Sequence, residues 1–340
     1  MTHFTLNNLH DRRILEVITC FFIIFIIILS GGPVLADEKA DRMEYGYFSS
    51  YDNSRIRFGK AEPSDNNRHQ AVLLLNGRSE FMEKYREVAG ELIAKGFTVF
   101  SLDWRGQGLS CRELENRDKG YIKTYDNYLN DLEIFYKKII EPAGLPVIIL
   151  AHSMGGHIAL RFLSSKHDAI KKAVLVSPMV DIVTKPVPRF LSEIIADIAC
   201  ATGFSESYIP GGSNYRLGKI KFKGNDLTHD RTRFAIQDEE IRKNPALGVG
   251  DVTWAWLKAS FDSIKILENK KYALKITTPV MIISAGKDSV VSISAQQKMC
   301  RDMPFCTFVS IPGSFHEILH ETDSIRKIFW DNFDKFIGRN

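Results

Sequence analysis

Cysteine is scarce in this chain, with five in 340 residues, and none of the pairs needed for a structural zinc site occurs. Charge of one sign is also lacking. Forty-five basic and 41 acidic side chains are interspersed and leave a net charge of +4, so no basic surface for nucleic acid is marked and no such partner is expected. There is no internal repeat and no low-complexity segment. A long apolar run is missing too. The best, Val17 to Leu29, falls short of the roughly 20 residues a spanning helix wants, and Gly31-Gly32-Pro33 follows it closely.

What is present is ordinary for a globular protein: 44% hydrophobic and 25% charged residues. A chain of 340 residues suits one large α/β domain with an inserted subdomain. The N-terminus is the compositional break. Arg12 and Arg13 precede the apolar run, and Val34-Leu35-Ala36 follows it, as in a charged, apolar and small-residue export signal cut after Ala36. Residues 1–36 are therefore expected to be a cleaved signal peptide, or else a membrane anchor through residues 14–35. Cys20 lies too early in that run, among bulky neighbours, for lipoprotein attachment. In an exported protein, Cys300 and Cys306 are close enough in sequence to pair.

Along the chain, short apolar runs alternate with helical patterns. A hairpin is expected over Met43 to Glu62, and strands over Gln70–Leu75, Phe97–Leu102, Pro146–Leu150 and Ile170–Val176. Helices are expected over Met82–Lys95, Tyr125–Ile140 and Met154–Lys166. The alternation breaks at Thr184 and resumes with a strand at Pro279–Ser284, a helix at Ser292–Arg301, a strand at Thr307–Ile311 and a helix at Asp323–Ile337. That order means a doubly wound, mostly parallel sheet formed by residues 43–183 and 272–340. Residues 184–271 are expected to form a helical cap over the carboxyl edge of the sheet.

The densest chemical signal is Ala151-His152-Ser153-Met154-Gly155-Gly156, a serine between a buried strand and a helix. It matches the nucleophile elbow G-x-S-x-G, with alanine for the first glycine. Serine is a weak nucleophile and needs a base held by a third group. The partners are expected on loops after late strands, in the order acid then histidine, which points to Asp288 and His316. Asp181, after the preceding strand, is a rival acid. Asp288 is favoured because Gly286 supplies the tight turn that aims it. The oxyanion donors are expected to be the backbone N–H groups of Met154 and Arg78. Arg78 and Glu80 are otherwise readable as a solvated loop, and His152 and His157 as packing or turn-orienting groups. His316-Glu317-Ile318-Leu319-His320 also fits the zinc-peptidase pattern H-E-x-x-H. Pro312-Gly313 just upstream makes His316 a loop residue, so no metal or cofactor is expected.

Taken together, Asn76-Gly77-Arg78-Ser79-Glu80, Asp103-Trp104-Arg105-Gly106-Gln107-Gly108, the elbow, Gly286-Lys287-Asp288 and His316-Glu317 resemble the α/β-hydrolase superfamily. Within it they resemble the lysophospholipase and monoacylglycerol-lipase-like branch. Tyr208-Ile209-Pro210-Gly211-Gly212 and Asn225-Asp226-Leu227-Thr228-His229-Asp230 look like the bacterial lysophospholipases in particular. The resemblance implies a Ser153–His316–Asp288 triad and a lysophospholipid or monoacylglycerol substrate met at a membrane surface. Asn76 departs from the histidine of many relatives, which bears on the shape of the oxyanion loop. The cap is rich in large apolar side chains (Phe190, Leu191, Ile194, Ile195, Phe204, Tyr208, Trp254, Trp256, Leu257, Phe261), a stripe that reads as core before ligand groove. A serine aminopeptidase or a short-chain carboxylesterase on the same fold remains open, as does a non-catalytic binding protein.

Overall fold

A computed structural model describes residues 43–338 except 65, 66, 166 and 168. The expected signal or anchor segment lies outside the described residues. Eight strands form one sheet in the order β1-β2-β4-β3-β5-β6-β7-β8. They are β1 (Glu44–Ser49), β2 (Arg55–Ala61), β3 (Ala71–Leu75), β4 (Thr98–Leu102), β5 (Val147–His152), β6 (Ile170–Val176), β7 (Val280–Ala285) and β8 (Cys306–Ile311). The hairpin β1–β2 runs antiparallel and joins β4 antiparallel, and every later pairing is parallel. β3, β4, β5 and β7 are buried along their whole length, as strands covered by helices on both faces must be.

The two faces carry separate apolar cores. One packs α2 (Tyr125–Phe135) and α3 (Met154–Phe162) against Leu73, Ile149 and Ile282. The other packs α1 (Arg86–Ala94) and the C-terminal helix α9 (Asp323–Ile337) against Val72, Leu150 and Ile283. Two expected helices are interrupted. Met82–Tyr85 is a 3₁₀ turn before α1, and the Met82 N–H at its start donates to Asp103 Oδ1 at 3.0 Å. Tyr136–Ile140 closes α2 with a wider π turn, burying Tyr136 and Ile140.

Between β6 and β7 the chain carries α4 (Arg189–Ala201), α5 (Arg231–Lys243), α6 (Trp254–Glu268) and α7 (Lys270–Ala273), and the described residues there form no strand. This segment is tied to the loop after β4 by backbone bonds between Gly120 and its neighbours Asp251 and Thr253, at 2.9 and 2.8 Å. Its apolar stripe divides rather than forming one core. Trp256 and Phe261 are buried, whereas Phe190, Ile194, Ile198 and Phe204 are 50–62% exposed. Among the described residues no helix is long and apolar enough to cross a membrane. At the far edge, Cys300 in α8 (Ile293–Asp302) is disulfide-bonded to Cys306 at the start of β8, with 5.3 Å between their Cα atoms.

Candidate active site

Ser153 sits where β5 ends and α3 begins, with a left-handed φ of 50°, a backbone state costly for any residue but glycine. Three backbone bonds hold it there. Its N–H donates to Val176 O at 3.0 Å, and its carbonyl accepts from His157 and Met179 at 3.1 and 3.0 Å. The turn has no spare room. A Cβ on Gly155 would stand 2.5 Å from the Asn76 carbonyl oxygen, so only glycine lets α3 start this close to the loop after β3.

The loops after β7 and β8 bring Asp288 and His316 to this serine. His316 Nε2 lies 3.0 Å from Ser153 Oγ, and Nδ1 lies 2.8 Å from Asp288 Oδ2. A carboxylate takes only a proton, so Nδ1 carries the hydrogen and Nε2 is left to accept from the serine. Asp288 Oδ1 accepts from the N–H groups of Val290 and Val291 at 2.9 and 3.0 Å. Burial pushes the Asp288 carboxyl up, but His316 and those two N–H groups outweigh it and hold the group below its ordinary value. Gly286 allows the approach of the two loops: a Cβ there would lie 2.7 Å from Ile311 O. The rival Asp181 faces away, 3.1 Å from Arg189.

The loop after β3 is fixed from below. Gln107 Oε1 accepts from Ser79 N–H at 2.8 Å, and Glu80 Oε2 accepts from Gly77 N–H. Trp104 Nε1 donates to Asn76 O at 2.8 Å, and Asn76 Nδ2 donates to Leu102 O at 3.3 Å, so asparagine serves as a brace in the loop. With its neighbours committed, the Arg78 N–H has no acceptor among the described residues, and neither has that of Met154 at the start of α3.

Glu80 is no solvated loop residue. It lies buried with Lys84, Tyr85, His152 and Glu317 directly behind the site. Lys84 Nζ donates to Glu80 Oε1 and Glu317 Oε1, both at 2.8 Å, Tyr85 Oη donates to Glu80 Oε2 at 2.6 Å, and His152 Nδ1 lies 3.1 Å from the same oxygen. Burial opposes both carboxylate charges, yet Lys84 outweighs it and holds Glu80 well below and Glu317 below the ordinary range. No local sequence signal marked this cluster, since Glu83 and Lys84 are two of several charges in Met82–Lys95. The H-E-x-x-H histidines part company here. His316 faces the serine, while His320, on a 3₁₀ turn, directs Nε2 at Lys84 O at 3.1 Å. Glu80, Glu317 and His320 lie close enough together for a cation, but the Lys84 ammonium already occupies both carboxylates. His157 is a core group: its Nδ1 lies 2.8 Å from Met179 O, and burial pulls its pKa down to about 3.

Two cavities meet at Ser153. One, of about 730 Å³, runs under the cap between Ile182, Val187, Ile195, Ile209, Trp254 and Leu257. The other, of about 260 Å³, is lined by Arg78, Tyr215, Arg216, Lys219, Gln237 and Asp251 among others. The sheet order, the strained serine turn and the loop-borne acid and base define an α/β-hydrolase. The chain belongs to the serine aminopeptidase S33 family, which it matches over residues 66–323. It is 30% identical to the probable lysophospholipase L2 of Haemophilus influenzae over 293 residues, covering 86% of this chain and 91% of that one. It is equally 30% identical to lysophospholipase L2 of Escherichia coli K12 over 322 residues, 91% of each chain. In fold it is similar to a soluble variant of the monoglyceride lipase of Saccharomyces cerevisiae, with a TM-score of 0.71 and 21% identity, covering 90% of this chain and 98% of that one.

Proposed function

We propose that this carboxylic ester hydrolase cleaves the acyl ester of single-chain lipids, lysophospholipids or monoacylglycerols, through an acyl-enzyme. Ser153 Oγ attacks the carbonyl carbon while His316 Nε2 takes its proton, and Asp288 stabilises the imidazolium that forms. The N–H groups of Met154 and Arg78 receive the oxyanion, and His316 returns its proton to the departing glycerol oxygen. Water, deprotonated by the same histidine, then releases the fatty acid.

The observation that carries this reading is the 730 Å³ apolar cavity opening onto Ser153. It has the character of an acyl-chain site rather than a peptide site. An aminopeptidase needs a free carboxylate for the substrate ammonium, and the acids around the smaller cavity are engaged. Lys84 holds Glu80 and Glu317, Lys219 holds Asp251, and Tyr215 with the Gly218 N–H holds Asp238. Delivery from a membrane surface fits the outer face of α4. Phe190, Ile194 and Ile198 are exposed there, on the same helix whose Ile195 lines the acyl cavity. An enzyme exported or anchored through residues 14–35 would meet its substrate at that surface. Each buried CH₂ is worth up to ~0.8 kcal/mol, so kcat/KM should climb from butyryl to lauroyl esters until the cavity is full. A flat or falling profile would point to a short-chain esterase. Faster turnover of aminoacyl amides than of any ester would restore the aminopeptidase.

A further inference from the structure

The two cavities differ in what they offer a ligand, and Arg78 lines both of them together with Ser153. Its guanidinium is half-buried and stands 5.7 Å from the Trp256 ring centroid. Nη1 donates to Ser79 Oγ at 2.6 Å and, at the 3.4 Å limit, to Gly250 O. Nε and Nη2 bond nothing among the described residues, and no carboxylate there lies within ion-pair distance. The carboxylate that faces it, Asp251, is already paired with Lys219 and the Ser213 N–H. Burial accordingly pulls the Arg78 pKa down, with Asp251 only partly opposing. An arginine whose planar fork keeps free donors beside a nucleophile is built for an anion that offers two or more oxygens, as a phosphate does. Arg216, on the rim of the same cavity, is a second cation with no acid partner among the described residues.

We propose that Arg78 binds the phosphate of a lysophospholipid headgroup, so that the smaller cavity is the headgroup site and the apolar cavity the acyl site. The proposal rests on the lipid-ester reading above and deepens it. The substrate ester straddles Ser153, its fatty chain runs under the cap, and its glycerophosphate turns towards Arg78. An uncharged monoacylglycerol fits the same acyl site but leaves the guanidinium without its anion. Arg78 is thus a specificity-determining side chain, distinct from the oxyanion role of its own backbone, which every substitution except proline retains.

The test is a ratio. In wild type, Arg78→Lys and Arg78→Met, kcat/KM is measured on palmitoyl lysophosphatidylglycerol and on 1-palmitoylglycerol in the same detergent. A hydrogen bond to a charged group sets the scale, so Arg78→Met should lower the phosphate-to-neutral ratio by about 10- to 100-fold, mostly through KM, with Arg78→Lys between. An unchanged ratio, whatever the absolute rates, overturns the assignment. A second arm needs no variant. sn-Glycerol 3-phosphate should inhibit wild-type hydrolysis of p-nitrophenyl butyrate at least about tenfold more strongly than glycerol. Equal inhibition by the two, or inorganic phosphate matching glycerol 3-phosphate, overturns the headgroup site. If wild type turns over no long-chain ester at all, the lipid reading itself has failed, which is a separate result.

Discussion

His316–Asp288 and His152–Glu80 are two buried histidine–carboxylate pairs whose rings lie 5.0 Å apart, and they face different groups. In the first, Asp288 is shared only with two backbone N–H groups, and Nε2 looks at a serine hydroxyl 3.0 Å away. In the second, Glu80 is shared with Lys84, Tyr85 and the Gly77 N–H, and Nε2 looks at the His316 carbonyl oxygen at 3.4 Å. A carbonyl has no proton to give. Burial opposes a charge on His152, but Glu80 outweighs it and raises its pKa, so this ring is suited to hold a proton rather than to take one. A histidine beside a carboxylate becomes a base only where its other nitrogen meets an acidic hydrogen. The second pair instead braces the backbone of the first, from beneath the loop that carries His316.

The largest effects should fall on the first pair. Ser153→Ala is expected to lower kcat by about 10⁴-fold or more and to abolish fluorophosphonate labelling without loss of fold. Asp288→Asn should cost a comparable factor, because the amide no longer fixes the Nδ1–H tautomer. Asp181→Asn removes only a partly exposed contact to Arg189, and such pairs are worth under ~1 kcal/mol, so activity should stay within about fivefold. A reversed ranking in side-by-side kinetics would move the acid to the loop after β6 and erase the contrast between the two pairs.

The second pair should respond in stability first. Glu80→Gln strips Lys84 and His152 of a buried charge partner, which costs about 3–5 kcal/mol in comparable sites. The loss of kcat should be smaller than for any triad member. The sign of the pH dependence follows from the lowered Glu80 and Glu317 values. A carboxylate held below its unfolded value contributes stability that is complete above the ordinary glutamate range and lost as pH falls through the folded value. Urea unfolding should therefore show a large gap between wild type and Glu80→Gln at pH 7, which grows slightly as pH falls through the histidine range because Glu80 raises the His152 value, and then shrinks below the ordinary glutamate range. A gap that went on widening below the glutamate range would mean Glu80 is not the charged partner described.

The first pair was legible in the sequence and the second was not. Ser153 and Asp288 follow buried strands and His316 follows the edge strand β8, each within a few residues, so the signal is local. The elbow also needs small residues where a Cβ would strike Asn76. Lys84 and Glu317 meet across 233 positions of chain, and nothing near either residue announces the other. The same distance effect hid the bond from the Met82 N–H to Asp103 and the brace role of Asn76 on Leu102. In the cap the apolar stripe was visible, but its division into core, cavity wall and exposed face depends on how α4 lies on α6. Composition does not carry that.

The smallest effect on catalysis is expected farthest from both pairs. The Cys300–Cys306 bond joins the end of α8 to the start of β8, the strand whose other end leads to His316. β8 is already pinned along its length by its parallel pairing with β7, and Asp288 and the backbone of Asp226 hold the His316 loop separately. Losing the bond should loosen the unfolded chain more than the site. A loop this short is worth about 2 kcal/mol of stability by chain entropy. Cys300→Ser with Cys306→Ser should thus lower the denaturant midpoint by that equivalent while kcat stays within about twofold, well inside the under ~1 kcal/mol scale of a peripheral contact. Mass spectrometry of unreduced peptides from protein made in an oxidising compartment checks the bond itself. A tenfold fall in kcat at unchanged stability would show that the position of His316 is set from the strand's far end, and the separation of the two pairs from the rest of the sheet would have to be redrawn.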